Sequence, residues 1–136
     1  CPNGCGQNHV ASIGFQGGMR RVGGRPLPLY QISVGGGVVP TEGGMPGTAR
    51  FARPVGKVPA HRVPAAVDRI IAAFRKDRTG DETFDDYLGR VAVDDVKKAI
   101  GDLFDIDEKT AKESDFVDLG QDQPFTVGQR EEDHMC

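Results

Sequence analysis

The chain has 136 residues, 38% of them hydrophobic, which is apolar surface enough for one modest core and not for two. Its formal net charge of −3 excludes the dominant basic surface that nucleic-acid binding requires. No run of about 18 apolar residues is present and the first residues lack the order of a secretion signal, so the expectation is a cytoplasmic protein without a membrane span. The opening on Cys1 predicts that the numbering starts inside a longer parent chain.

Glycine is unevenly spread: 13 of the 19 lie between Gly4 and Gly47, which excludes a helical bundle for the first third of the chain. Charge is divided as well. Residues 1–68 carry 7 Lys+Arg against 2 Asp+Glu, and residues 69–136 carry 10 against 18. The basic half is expected to face an anionic cofactor, a substrate or the acidic half itself, or to be solvated surface.

In chain order, Pro2 and Asn3 suit a helix start, and a short helix is expected near residues 4–11. Apolar and small or polar residues alternate over Ile13-Gly14-Phe15-Gln16-Gly17 and again over Leu29-Tyr30-Gln31-Ile32-Ser33-Val34, predicting two strands. Residues 17–26, rich in glycine, read as the loop between them. The span 35–47 holds so many glycines and so few large side chains that it reads as a loop ordered by something else. A third extended stretch is expected near residues 56–62. Pro64 then sits where a first helical turn tolerates proline, and Val67, Ile70, Ile71 and Phe74 share the apolar face of that helix. Phe84, Tyr87, Leu88 and Val91 repeat at helical spacing, as do Val96, Ile100 and Leu103, and both helices have acidic first turns. From residue 105 onward the periodicity fades, and residues 131–136 read as an extended or mobile terminus. The expected architecture is α+β, a small mixed sheet near residues 12–17, 28–35 and 56–62 covered by amphipathic helices.

Cys1 and Cys5 are four residues apart, which on a helix start places both sulfurs on one side, where unpaired amides favour thiolates. Two such thiolates make half a metal site, and a pair of free or disulfide-bonded cysteines is the plain alternative. His9 extends the line to i+8. Cys1, Cys5 and His9, with Cys136, are therefore also candidates for zinc, although structural zinc sites more often use knuckle turns than a helix face. A non-catalytic interaction module docking through the acidic half is a third possibility. Gly35-Gly36-Gly37 is followed by no Gly-Lys-Ser/Thr, so nucleotide binding is unsupported. Asn3 reads as a helix cap or a loop-orienting amide, and Gly4 and Gly6 as a tight turn or a close backbone approach. His61 and His134 read as surface histidines.

The order Cys1-Pro2-Asn3-Gly4-Cys5-Gly6, Ile13-Gly14-Phe15-Gln16-Gly17, then Tyr30-Gln31-Ile32-Ser33-Val34-Gly35-Gly36-Gly37 resembles the C-terminal part of the siroheme and 4Fe-4S nitrite/sulfite reductases. The resemblance is close to about Gly36, looser through Gly56-Lys57-Val58-Pro59-Ala60 and residues 82–91, and undiagnostic beyond Val93. It implies that residues 1–92 are the siroheme/4Fe-4S-binding portion of such an enzyme, incomplete at its N-terminus, with residues 93–136 a helical extension and polar tail. It further implies a 4Fe-4S cluster ligated by Cys1 and Cys5, with Cys5 the thiolate bridging to the siroheme iron. Asn3 would touch siroheme, whose carboxylates would suit an excess of arginine drawn from Arg20, Arg21, Arg25, Arg50 and Arg53. The remaining cluster ligands, and the residues that bind sulfite or nitrite, would come from the missing N-terminal part of the parent. No catalytic acid or base is therefore assigned in this chain. The electron donor implied is ferredoxin or a flavoprotein carrying NADPH electrons.

Overall fold

The computed structural model describes residues 3–39, 47–104 and 106–127. Within it, β1 (Ile13–Val22) and β2 (Arg25–Val34) form an antiparallel hairpin with Val22 opposite Arg25. The linking residues Gly23 and Gly24 have φ of +56° and +76°, the left-handed geometry of a two-residue hairpin turn, which glycine adopts without strain. The loop expected over residues 17–26 is therefore mostly strand. Gly17 and Gly18 pair with Tyr30 and Leu29, because ladder hydrogen bonds are made by the backbone and do not need side chains.

On its other side β2 pairs with β5 (Arg53–Pro59), giving the order β1-β2-β5, with a register slip between Ile32 and Ser33. The α+β class stands, and the sheet is antiparallel at every pairing among the described residues rather than mixed. β5 runs earlier than the expected stretch and ends at Pro59, after which Ala60–Arg62 tightens into a 3-10 turn that launches the first helix. The glycine-rich span is partly ordered by pairing: β3 (Gly37–Val39) and β4 (Thr48–Arg50) make a small second hairpin. Residues 40–46 of that expected loop lie outside the described residues, as do Cys1, Cys136, His134 and the expected terminus 131–136.

Among the described residues three α-helices follow, α1 (Val63–Asp77), α2 (Phe84–Arg90) and α3 (Val93–Ile100). Pro64 lies in the first turn of α1, as expected. The buried stripe of α1 is Val63, Ala66 and Ile70, with Val67, Ile71 and Phe74 half-buried beside it. The small Ala66 lets the helix close on its neighbours, which centres the contact one position before the expected face. Thr83 caps α2 by accepting from the Asp86 amide at 3.2 Å. Phe74 meets Phe84 edge-on with ring centroids 5.2 Å apart, an arrangement aromatic pairs favour. Among the described residues no helix is long and apolar enough to cross a membrane.

Apolar side chains gather in two clusters. The larger holds Ile32, Val34, Val55, Val58, Ile70, Leu88, Val96, Ile100 and Leu103, joining the sheet to all three helices. The smaller holds Val22, Leu27, Leu29, Ile106 and Phe116. Residues 106–127, where periodicity fades, are thus not idle: without a long helix they cover Leu27 and Leu29. Asp115 lies among these side chains with 1% exposure and accepts two hydrogen bonds from the Arg62 guanidinium at 2.7 and 2.6 Å.

The helix expected near residues 4–11 is absent. Gly4 and Gln7 have φ of +68° and +53°, and two left-handed residues three apart interrupt any right-handed helix. The segment instead folds as consecutive turns, Gln7 N–H donating to the Gly4 carbonyl at 2.8 Å and Val10 N–H to the Gln7 carbonyl at 3.0 Å.

Candidate functional site: the Cys5 loop

Residues 3–12 form a loop seated on the end of the sheet. Three backbone hydrogen bonds hold it: Gly35 N–H to the Ser12 carbonyl at 2.8 Å, Gly36 N–H to the Ala11 carbonyl at 3.1 Å, and Ala52 N–H to the His9 carbonyl at 2.8 Å. The Ser12 hydroxyl adds a bond to the Asp85 carboxylate in the first turn of α2. Ser12, at the C-terminal end of the loop, is therefore tied both to the residues just beyond β2 and to the helical layer.

Cys5 is exposed and its thiol is free. It borders a cavity of about 230 Å³ lined also by Asn8, Ala11, Ile13, Gly14 and Phe15. The amides of Cys5 and Gly6 donate to no group among the described residues. An exposed thiol beside amides that have no protein partner among the described residues can hydrogen-bond an anionic guest, sulfur atoms included. Among the described residues the chain offers such a guest one sulfur ligand, Cys5. Its expected partner Cys1 lies outside the described residues. Asn3 is exposed at the same end of the loop, and its amide has no partner among the described residues.

His9 does not continue a helical line from Cys5, since no helix exists here. Its ring lies 5.9 Å from that of Phe51, which is 67% exposed. Among the described residues no group of three or more His, Cys, Asp or Glu is placed to hold a metal ion. His61 is exposed, as expected for a surface residue. A larger cavity of about 450 Å³ opens between the helices, lined by residues including Ile70, Ala73, Tyr87 and Val96. It shares no residue with the Cys5 cavity and has no cysteine or histidine in its wall.

All five arginines singled out in the sequence have partners within the chain. Arg20 donates to the Ile106 carbonyl, Arg21 to the Gly24 carbonyl at 3.0 Å, and Arg53 to the Leu88 carbonyl at 2.6 Å. Arg50 donates to the carbonyls of Gly35 at 2.7 Å and Asp85 at 3.2 Å. Arg25 grips both oxygens of Glu113 at 2.7 and 2.9 Å and covers the ring of Phe116, and this pairing holds the Glu113 carboxyl below the usual range. The basic half thus faces the acidic half directly, through Arg25 and Glu113 and through Arg62 and Asp115. Arg50 and Arg53, like Arg20 and Arg21, bond neutral carbonyls rather than carboxylates, and they flank Ala52, whose amide holds the Cys5 loop at His9.

The features that hold this loop were not legible beforehand. Asp85, Phe51 and Gly36 act on it from 73, 42 and 25 residues beyond Ser12, His9 and Ala11 respectively. The only available signal was the density of glycine around residues 14 and 36.

No family model matches the chain. Over 88 residues, 65% of its length, the chain is 32% identical to an assimilatory ferredoxin-dependent nitrite reductase of Haloferax mediterranei, of which it spans 14%. The solved structure of the NirA protein of Mycobacterium tuberculosis matches 71% of this chain with a TM-score of 0.57 and 31% sequence identity, and the chain spans 17% of that one. It therefore corresponds to about one seventh of the curated relative and about one sixth of the solved structure.

Proposed function

From the kinship of this chain with the nitrite and sulfite reductase family, we propose that it is the C-terminal, cofactor-binding part of an enzyme that reduces sulfite to sulfide or nitrite to ammonia with six electrons. The observation that carries the reading is the Cys5 loop, an exposed thiol beside amides that have no partner among the described residues, within the order Cys1-Pro2-Asn3-Gly4-Cys5-Gly6. In this reading residues 1–92 are the siroheme/4Fe-4S portion and residues 93–136 an extension. The missing N-terminal part of the parent completes the site, electrons arrive from ferredoxin or an NADPH-dependent flavoprotein, and the enzyme works in the cytoplasm.

Cys1 and Cys5 would ligate the 4Fe-4S cluster, Cys5 would also ligate the siroheme iron, and Asn3 would contact the siroheme. When bound, the two groups together supply stored low-potential electrons and the iron at which the substrate anion is reduced. The chain's own contribution is positional and electrostatic. The turns at Gly4 and Gln7 leave Cys5 exposed at the edge of the cavity bounded by β1. The Cys5 and Gly6 amides stabilise negative charge beside that sulfur. Arg50 and Arg53, bonded only to carbonyls among the described residues, raise the local potential on the same side. No residue of this chain is assigned the role of proton donor.

The test is the visible absorption spectrum of the full-length parent, purified anaerobically, beside that of the present chain. A siroheme Soret band with long-wavelength bands in the parent and a colourless isolated chain are expected. A parent that stays colourless after iron, sulfide and siroheme are supplied refutes the proposal.

A further inference from the structure

The Cys5 loop approaches the sheet more closely than side chains would allow, at two points. A Cβ at Gly14 would collide with the Asn8 carbonyl, and one at Gly36 would stand 2.5 Å from the Ala11 carbonyl oxygen and 2.6 Å from the Val10 carbonyl carbon. Real Cβ atoms essentially never come within 3.0 Å of such atoms. Neither glycine has a positive φ, so the requirement is purely one of space. Backbone lies against backbone at both points and neither partner can rotate away as a flexible side chain would. An alanine can therefore be accommodated only by lifting the loop itself. Gly18 on the same strand as Gly14 has nothing within 4 Å of its Cβ direction, so close approach is not general to the glycines of this strand.

We propose that Gly36 and Gly14 are positioning residues for Cys5: the missing side chains let residues 8–12 seat on the sheet, and that seat sets where the Cys5 sulfur faces. Cys5 lies three residues before Asn8, across the turn closed by Gln7 and Gly4, so a displacement at the seat reaches the thiol through one tight turn. On the functional reading above, on which this inference rests for its consequence, the same seat sets the geometry between the cluster and the siroheme iron.

The experiment uses the full-length parent with Gly36→Ala, and Gly18→Ala as the matched control. In the cofactor-free protein, the alkylation rate of Cys5 by iodoacetamide is followed by peptide-resolved mass spectrometry. Loosening of the loop is expected to change that rate by about threefold or more in Gly36→Ala, with Gly18→Ala unchanged. In the loaded protein, Gly36→Ala is expected to shift the electron paramagnetic resonance signature of the coupled centres. Should Gly36→Ala fail to fold, Phe51→Ala replaces it, because Phe51 is 67% exposed and its ring lies against His9 of the loop; a change in the Cys5 rate of about twofold is then expected. A Cys5 rate equal to wild type in these variants overturns the positioning role, and so does an unaltered resonance signature in a loaded variant. A wild-type parent that binds neither group refutes the functional reading alone, since the alkylation comparison still decides the role of Gly36.

Discussion

Replacing Asp115 with alanine isolates the ion pair that fastens the last part of the fold. The Asp115 side chain is 1% exposed and that of Arg62 17%. The change removes both hydrogen bonds from Arg62 and also the acceptor for the Lys112 amide at 2.9 Å. Breaking a buried pair from one side costs about 3 to 5 kcal/mol, because the remaining charge is left without compensation. Arg62 retains some contact with water, so the lower end, about 3 kcal/mol, is expected. With an unfolding entropy of about 2.1 cal/mol/K per residue, a chain of this length has about 0.29 kcal/mol/K, and the loss corresponds to a fall in Tm of about 10 °C. Thermal and urea unfolding followed by circular dichroism would measure it. The double variant Arg62→Met with Asp115→Leu is expected to recover most of the loss, since an apolar pair of similar volume carries no desolvation penalty. A single-site loss below about 1 kcal/mol, or a double variant as unstable as the single one, would refute the reasoning.

The same carboxylate makes a prediction in pH. Burial pushes its pKa up, but the Arg62 hydrogen bonds, the Lys112 amide and the Arg62 charge outweigh burial, so it lies below the usual aspartate value. The unfolded chain therefore takes up the proton first. The stabilisation is complete above the unfolded value of about 3.9 and is lost as pH falls through the lower folded value. Wild type should lose stability in that acid window, and Asp115→Ala should show a flatter profile there.

The other predictions address single features. Thr83→Ala removes the cap of α2 and is expected to cost about 1 kcal/mol in urea unfolding. Gly24→Ala forces a side chain into a left-handed turn residue whose surroundings are open; about 1 kcal/mol should be lost from strain alone, and Gly24→Asn should lose less. In the parent, Cys5→Ser should abolish the spectrum of the coupled cofactors, whereas His9→Ala should leave it nearly unchanged; a spectrum that survives Cys5→Ser would refute Cys5 as a ligand.

Where the sequence was legible, the cause was repetition. Phe84, Tyr87 and Leu88 mark α2, and Val96, Ile100 and Leu103 mark the last helix and its 3-10 extension, because amphipathic spacing survives without knowledge of the partner. The strand spacing of Ile32 and Val34 was readable for the same reason. Glycine misled in opposite directions: Gly17 and Gly18 suggested a loop and lie in a strand, whereas Gly4 permitted the left-handed turn that removed the expected helix. The segment containing Ile106, Asp115 and Phe116 has no period, since each residue answers to a different neighbour on β2 or beside α1. For the site, the seat of the loop that carries Cys5 was not legible. Its determinants are contacts between residues far apart in the chain, and such contacts leave no local pattern.

The central strand belongs to both apolar clusters. Leu27 and Leu29 lie in one, and Ile32 and Val34, a few residues along the same backbone, lie in the other. Releasing residues 106–127 strips water-excluding cover from Leu27 and Leu29, and releasing the helices does the same to Ile32 and Val34. Either event weakens the strand on which the other depends. The two clusters are therefore coupled through one strand, and the loop that carries Cys5, hydrogen-bonded to Gly35 and Gly36 immediately beyond that strand, is released by any event that frees the strand as well as by loss of its own few contacts.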